Sequence, residues 1–119
     1  MARFRLSLLA RADLAQILAT SVELWGIAGK HRYAAVLAAG MRKVAAQPMG
    51  PTTQDRVELS RGIRSFHLRN ARGGKVALQV RRPVHVLYYR AVRPGLVGIV
   101  RVLHERMEPS RRIGGDAEK

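Results

Sequence analysis

The stretch that decides the fold is PVHVLYYR at 83–90, followed by the turn Arg93-Pro94-Gly95 and by LVGIVRVLHERM at 96–107. Both runs are rich in β-branched and aromatic residues, and a Pro-Gly pair between two such runs predicts a β-hairpin. The polar side chains of the hairpin include His85, Tyr88, Tyr89, Arg90, Arg101, His104 and Arg106. A strand pair that served only as core would not need them, so we expect this hairpin to meet an anionic partner.

Upstream of the hairpin, the hydrophobic period changes from that of a strand to that of a helix. Residues 4–8 alternate apolar and polar side chains, which predicts a short strand. Apolar residues then follow helical spacing from about 11 to 25 and from about 30 to 46, with Gly26 or Gly29 at the break. Two consecutive helices with a short connection predict an antiparallel helical hairpin.

The segment between the helices and the last hairpin is predicted to be a loop followed by strands. Residues 47–53 contain two prolines and no periodicity, which predicts a loop. Residues 63–68 and 76–80 alternate like strands on either side of a Gly-rich turn at 70–74. The whole order predicts an α+β fold, with an N-terminal strand and an antiparallel helical hairpin packed on a C-terminal antiparallel sheet.

Length and composition limit the classes of protein to consider. The 119 residues fit one domain, expected over 1–113, with a short polar tail at 114–119. Lys and Arg outnumber Asp and Glu by 22 to 8, and residues 56–112 carry +11 of the net charge of +14. Such a field suits nucleic acid, an acidic protein or an anionic membrane surface. The absence of cysteine excludes disulfides and thiol catalysis, and no apolar run approaches the roughly 20 residues of a membrane span.

Most catalytic patterns are missing from the chain. It has no Gly-rich phosphate loop, no HExxH and no useful pair of carboxylates, and its four histidines do not form a metal-ligand pattern with carboxylates, so we expect no cofactor and no metal site. A metal-independent ribonuclease remains open, because His, Tyr and Arg can supply a base, an acid and cations for the phosphate. The matching residue types are Arg64, His85, Tyr89, Arg90, Arg101 and His104. Strand packing and a solvated cationic face would explain the same residues.

Seven short motifs, in order between Phe4 and Ile113, resemble the ParE branch of the ParE/RelE toxins of type II toxin-antitoxin modules. They are Asp13-Leu14 with Ile17, Glu23-Leu24-Trp25-Gly26, Tyr33 with Leu37, Pro48-Met49-Gly50, Gly62-Ile63-Arg64-Ser65-Phe66, His85-Val86-Leu87-Tyr88-Tyr89-Arg90, and Val100-Arg101-Val102-Leu103-His104 with Arg106-Met107. The eighteen residues between Phe66 and His85 exceed what compact members of the family have, which predicts a longer central hairpin.

The resemblance implies a cytoplasmic toxin that inhibits DNA gyrase by binding rather than as an enzyme, and that an acidic ParD-like antitoxin neutralises in a hetero-oligomer. Residues implied for target binding and toxicity are Arg64, Tyr89, Arg90, Arg101, His104, Arg106 and Met107. Residues implied for antitoxin binding are Leu14, Leu18, Trp25 and Arg101. The alternative is a RelE-like, ribosome-dependent mRNA endonuclease with Arg64, Arg101 and His104 around the scissile phosphate. Without that activity, contact with nucleic acid would be indirect.

Two of these residues also have simpler interpretations. Trp25 is the only tryptophan and lies at a predicted helix end, where it could anchor the core or the helical hairpin. Asp13 follows the predicted start of the first helix, where a carboxylate in the first turn would complement the helix dipole.

Overall fold

The computed structural model describes residues 2–71, 80 and 82–113 and has one long helical segment against a five-stranded sheet. In chain order the elements are β1 (Arg3–Leu6), α1 (Leu8–Ala46), β2 (Thr53–Asp55), β3 (Ile63–His67), a 3₁₀ helix (Leu68–Asn70), β4 (His85–Arg93), β5 (Leu96–His104) and a second 3₁₀ helix (Pro109–Arg111). The predicted α+β class is confirmed.

The helical segment folds back on itself at Gly26. Ser7 caps its start by accepting the N–H of Ala10 at 2.9 Å. Gly26 has φ 73° and ψ −174°, a conformation that is essentially restricted to glycine. A straight helix of 39 residues would be about 58 Å long, whereas the longest dimension of the molecule is 38 Å. The predicted helical hairpin is therefore present, and Gly26 rather than Gly29 forms its break.

The sheet has two features that the sequence analysis did not predict. Its strand order is β1-β5-β4-β3-β2, and β1 runs parallel to β5 while the other neighbours are antiparallel. The C-terminal strands thus form the predicted antiparallel sheet, but the parallel pairing of β1 was not predicted, because hydrophobic alternation reveals a strand but not its partner. The predicted loop at 47–53 also runs into β2, which pairs with β3. Apart from Val80, the predicted strand at 76–80 lies outside the described residues, as does most of its turn.

Each face of the sheet covers its own hydrophobic core. On the face toward the helices, both arms of α1 pack on strand residues that include Phe66, Leu87, Tyr89, Ile99 and Val102. We call the opposite side the outer face. There a smaller core forms from Leu59, Ile63, Tyr88, Val100, Leu103 and Ile113. Because side chains alternate along a strand, the polar residues of one strand divide between these two environments.

Candidate functional site

Asp13 and Arg101 form a clamp on the exposed part of β5. β1 ends before β5 does. Beyond the end of β1, the side chain of Asp13 on α1 makes a hydrogen bond to the backbone of β5 that a longer β1 would otherwise make. The carboxylate of Asp13 accepts from Arg101 Nε at 2.8 Å and Nη2 at 2.9 Å, and from the backbone N–H of Val102 at 3.0 Å. Arg101 Nη1 also donates to the carbonyl of Arg112 at 3.0 Å. The guanidinium of Arg101 is therefore committed to contacts within the chain.

This geometry corrects the simpler interpretation of Asp13. The helix begins at Leu8, so Asp13 lies beyond its first turn, and the first turn contains no acidic residue. The side chains of Asp13 and Arg101 are each only 14% exposed. Two hydrogen bonds between a guanidinium and a carboxylate fix the relative orientation of both groups, and here the pair is largely shielded from solvent. Asp13 therefore holds the helix to the sheet edge and does not complement the dipole.

His85 and His104 face each other across β4 and β5, with ring centroids 5.5 Å apart. The Tyr33 hydroxyl accepts the N–H of Val84 at 3.1 Å and lies 2.6 Å from His85 Nδ1, to which we assign its proton. Burial, helped by the nearby His104 and His67, lowers the pKa of His85 to about 4. His85 is therefore neutral near pH 7 and forms part of a half-buried polar contact.

Arg64 and Tyr89 lie at a different place, where the helix-facing side of the sheet meets the loop after α1. Arg64 Nη2 donates to the Thr53 hydroxyl at 2.8 Å, and the Tyr89 hydroxyl donates to the Pro48 carbonyl at 2.5 Å. Burial raises the pKa of Tyr89. Arg64 Nε is buried and has no hydrogen-bond partner within residues 2–71, 80 and 82–113. These side chains fasten the loop to the sheet.

The three residues of the predicted nuclease do not converge. Arg64 pairs with Tyr89, and His104 pairs with His85 four residues farther along β4. With about 4.8 Å between strands and about 3.3 Å per residue, the Cα atoms of Arg64 and His104 are roughly 16 Å apart. Arg101 lies between them along the chain but is turned to Asp13.

The other predicted target-binding residues are dispersed. Arg90 Nη2 donates to the Ser60 hydroxyl at 3.2 Å and to the Arg61 carbonyl at 3.1 Å, so it fastens the loop before β3. Arg106 and Met107 follow β5 and are exposed. Of the predicted set, these two side chains are the most available to a partner.

A polar groove on the outer face was missed by the sequence analysis. Its volume is about 310 Å³, and its lining includes Arg56, Ser65, His67, Tyr88 and Glu105. The side chain of His67 donates from Nε2 to Glu105 at 2.6 Å, because its Nδ1 accepts the N–H of Arg69 at 3.0 Å. That hydrogen bond lowers the pKa of Glu105. The available signal was the alternation of β3, where Ser65 and His67 flank the core residue Phe66.

The guanidinium of Arg56 organises the centre of this groove. It lies 5.6 Å from the centroid of the Tyr88 ring, and its Nε donates to Glu58 at 2.8 Å. Its Nη1 reaches the hydroxyl of Ser65 at 3.4 Å. Burial raises the pKa of Tyr88, so the phenol stays protonated at neutral pH. The groove thus combines a cation, a phenol and a His-carboxylate pair.

The predicted antitoxin-binding residues lie on α1 and β5. Leu14 and Leu18 are half-buried and pack against the helix-side core. Trp25 is 58% exposed beside Gly26, next to exposed Leu24 and Ile27, so its interpretation as a core anchor was wrong. Its position at the end of the helical hairpin leaves its indole available to a partner.

Comparison with known proteins places these features in a family. The model for the ParE toxin of the type II toxin-antitoxin system, parDE, matches residues 4–109. The chain belongs to the ParE toxin family. Two relatives named toxin ParE1, from Mycobacterium tuberculosis strains CDC 1551 / Oshkosh and ATCC 25618 / H37Rv, are each 28% identical over 111 residues, which is 93% of this chain and 97% of the relative.

Membership in the ParE family makes this chain the toxin component of a type II toxin-antitoxin system and implies an antitoxin partner. No helix in the described part of this ParE toxin is long and apolar enough to cross a membrane. Within the same residues, no group of three or more His, Cys, Asp or Glu side chains is arranged to hold a metal ion.

Proposed function

We propose that this ParE toxin acts in the cytoplasm by binding DNA gyrase and inhibiting it, and that a ParD-like acidic antitoxin neutralises it. The observation that carries the proposal is the dispersal of Arg64, Arg101 and His104, which the alternative nuclease would need around one phosphate. Arg101 is committed to Asp13, and Arg64 fastens the loop at Thr53. A binding inhibitor needs none of these groups to converge. The net charge of +14 supports an acidic antitoxin as partner.

The surface after β5 is the best-supported contact with gyrase. Arg106, Met107 and Arg111 are exposed there, while the neighbouring Ile113 is buried in the outer core and holds the segment in place. The cations are therefore presented on a fixed segment. A segment whose backbone is already held in place loses less conformational entropy on binding than a flexible tail would.

The test is inhibition of supercoiling by purified gyrase. The double variant Arg106→Glu with Arg111→Glu should lose inhibition, because it reverses charge at the proposed contact without removing Ile113 from the core. Arg42→Glu with Arg61→Glu is the matched control, since both side chains are exposed elsewhere and the net charge changes equally. His104→Gln should retain inhibition, because proton transfer is not required. A wild-type protein that leaves supercoiling unaffected would refute the proposal.

The outer-face groove supports a second candidate function, cleavage of ribosome-bound mRNA. His67 with Glu105, Arg56 and Tyr88 are residue types that could move a proton and stabilise a phosphate. If the groove cleaves RNA, His67→Gln should slow cleavage by roughly 10²–10⁴-fold while His104→Gln does not. Cleavage by wild type that is insensitive to His67→Gln would exclude this site.

A further inference from the structure

A groove on the outer face lies over Gly98, where β5 passes between β1 and β4. In one row across the sheet, Arg5 lies opposite Gly98, and Gly98 lies opposite Arg90. Because Gly98 has no side chain, a space of about 260 Å³ remains between the two arginines, which both line it. We call it the Gly98 groove. Glycine inside a strand often marks a place where another molecule approaches the backbone closely.

Four arginines surround the Gly98 groove. The residues that alternate with Arg3 and Arg5 on β1 pack against the helix-side core, so both arginines lie on the outer face. In the neighbouring row of the sheet, Leu96 lies between Arg3 and Arg93. With about 4.8 Å between strands and about 3.3 Å per residue, the Cα atoms of the four arginines occupy a patch of roughly 10 by 7 Å. All of them except the half-buried Arg90 are exposed.

The charge of these arginines is not balanced within the fold. None of the four forms an ion pair with a carboxylate in the part of the chain that the structure describes, and no carboxylate of that part lines the groove. Arg90 Nη2 donates to the Ser60 hydroxyl and to the Arg61 carbonyl, which holds the side chain in place and leaves Nη1 for a ligand. Like charges this close repel one another, so an anion in the groove would relieve that repulsion.

The Gly98 groove offers hydrogen-bond donors without matching acceptors. A guanidinium carries only N–H donors, and the backbones of β4 and β5 are paired with each other along this row. The Ser7 hydroxyl at the rim already donates to the Val100 carbonyl and accepts the N–H of Ala10. A phosphodiester needs only donors, whereas a peptide also brings N–H groups that need acceptors. The lining therefore favours a nucleic-acid backbone over an acidic peptide.

The density of positive charge suits a duplex better than a single strand. Duplex DNA carries about one negative charge per 1.7 Å of its axis, and a single strand about one per 3.4 Å. Arginines gathered in one small patch can therefore neutralise several phosphates of a duplex at once. The proposed gyrase contact follows His104, which lies six residues and roughly 20 Å from Gly98 along β5. The outer face can thus touch gyrase at one end and DNA at the other.

We propose that the Gly98 groove binds the phosphate backbone of duplex DNA through the four arginines that surround it. Binding is independent of sequence, because arginines on phosphates read no base. Contact with DNA is then direct, whereas the family resemblance implies only an indirect contact. The inference rests on the proposed function only for which DNA is met, namely the segment held by gyrase. Binding itself is measured with the toxin alone.

The probe is a fluorescent DNA duplex of about 20 base pairs, and its binding by the toxin is followed by fluorescence anisotropy from about 50 to 200 mM salt. Arg3→Gln with Arg5→Gln should lower the slope of log affinity against log salt by about 2, because each phosphate contact contributes about 0.9. Arg11→Gln with Arg42→Gln is the matched control, since it removes the same charge from exposed positions on α1. Its slope should stay within about 0.5 of wild type.

Gly98→Val tests the shape of the groove at unchanged charge. A Cβ at this position would meet Cγ2 of Val92 at 3.3 Å, at the wall of the groove, so the new side chain projects into the space that the phosphate needs. The variant should weaken duplex binding more than the control pair on α1 does. Circular dichroism verifies that each variant is folded, and the arginine variants decide the question if Gly98→Val is not.

The outcomes separate this inference from the proposed function. Absence of duplex binding by wild type, or equal slopes for the two double variants, would overturn the proposal. Tighter binding of a single strand of the same length, or of a polyglutamate of equal charge, would identify a different occupant and also overturn it. Duplex binding by a toxin that leaves supercoiling unaffected would refute the gyrase target and leave this inference intact. Inhibition of supercoiling by a toxin that binds no duplex would do the opposite.

Discussion

Replacing Asp13 by alanine should be the most damaging single change at the surface of this fold. The substitution removes both hydrogen bonds to Arg101 and the acceptor of the Val102 N–H. Loss of one partner from a buried ion pair costs about 3–5 kcal/mol, and an orphaned backbone N–H costs about 1–3 kcal/mol. Because the two side chains keep 14% exposure and Arg101 retains the Arg112 carbonyl, the lower end applies. We expect unfolding to become easier by about 3 kcal/mol.

Urea denaturation followed by circular dichroism measures this change, and thermal melting should show a fall of roughly 10–15 °C. Asp13→Asn separates the two contributions, since its amide oxygen can still accept from Val102 while the charge is lost. It should cost about half as much as Asp13→Ala. Asp55→Ala is the matched control, because Asp55 is exposed, and its effect should stay within about 0.5 kcal/mol.

A double-mutant cycle with Arg101→Met isolates the pair itself. Once Arg101 is replaced, removing Asp13 should cost only the Val102 hydrogen bond, or about 1 kcal/mol. The coupling between the two substitutions should therefore be about 2 kcal/mol. If Asp13→Ala costs less than about 1 kcal/mol, or if the two substitutions are simply additive, Asp13 does not clamp β5 and the reasoning fails.

Two further predictions concern the break in the helix at Gly26 and the half-buried His85. Gly26→Ala should destabilise the fold by about 1–3 kcal/mol. The cost comes from the backbone conformation and not from a clash, since the new Cβ meets nothing within 4 Å. Gly98→Ala is the control in the same urea assay and should cost clearly less, because Gly98 has an ordinary φ. The second prediction concerns pH. In the folded protein His85 stays neutral down to about pH 4, whereas in the unfolded chain it takes up a proton below pH 6.5. The free energy of unfolding should therefore fall as the pH is lowered from 6.5 to about 4. Because His85 is partly exposed, we expect this loss to be about 1–2 kcal/mol larger in wild type than in His85→Gln, a variant that keeps an acceptor for the Tyr33 hydroxyl. If the free energies of unfolding of the two proteins change in parallel with pH, the prediction is wrong.

The elements that the sequence predicted well are those with a sustained hydrophobic period. Both arms of α1 and the hairpin of β4 and β5 are long enough for the pattern to identify them. β2 is different, because Thr53, Gln54 and Asp55 have no apolar alternation and become a strand only by pairing with β3. The parallel partner of β1 was also beyond the sequence, since it depends on how the helical hairpin returns the chain to the sheet.

The candidate sites show the same limit. Asp13 and Arg101 were both noticed, but they are 88 residues apart and meet only because α1 crosses the end of β5. The pairing shifts between Tyr88 and Tyr89, where Tyr88 lies opposite Arg101 and Tyr89 lies opposite Ile99. Simple alternation cannot follow such a shift. The sequence therefore supplied the residues of the clamp without their arrangement.

The positions of the family motifs also indicate where the target contact should be sought. Several motif residues stabilise the fold through hydrogen bonds within the chain. Asp13 binds Arg101 on β5, Tyr33 binds His85, and Tyr89 binds the Pro48 carbonyl. Substituting them would change toxicity through stability as readily as through recognition. Loss of toxicity at these positions therefore cannot identify a binding surface by itself. A binding surface is identified by exposed residues whose replacement lowers toxicity but leaves the urea midpoint unchanged. Among the predicted target-binding residues, Arg106 and Met107 are exposed and can be tested in this way.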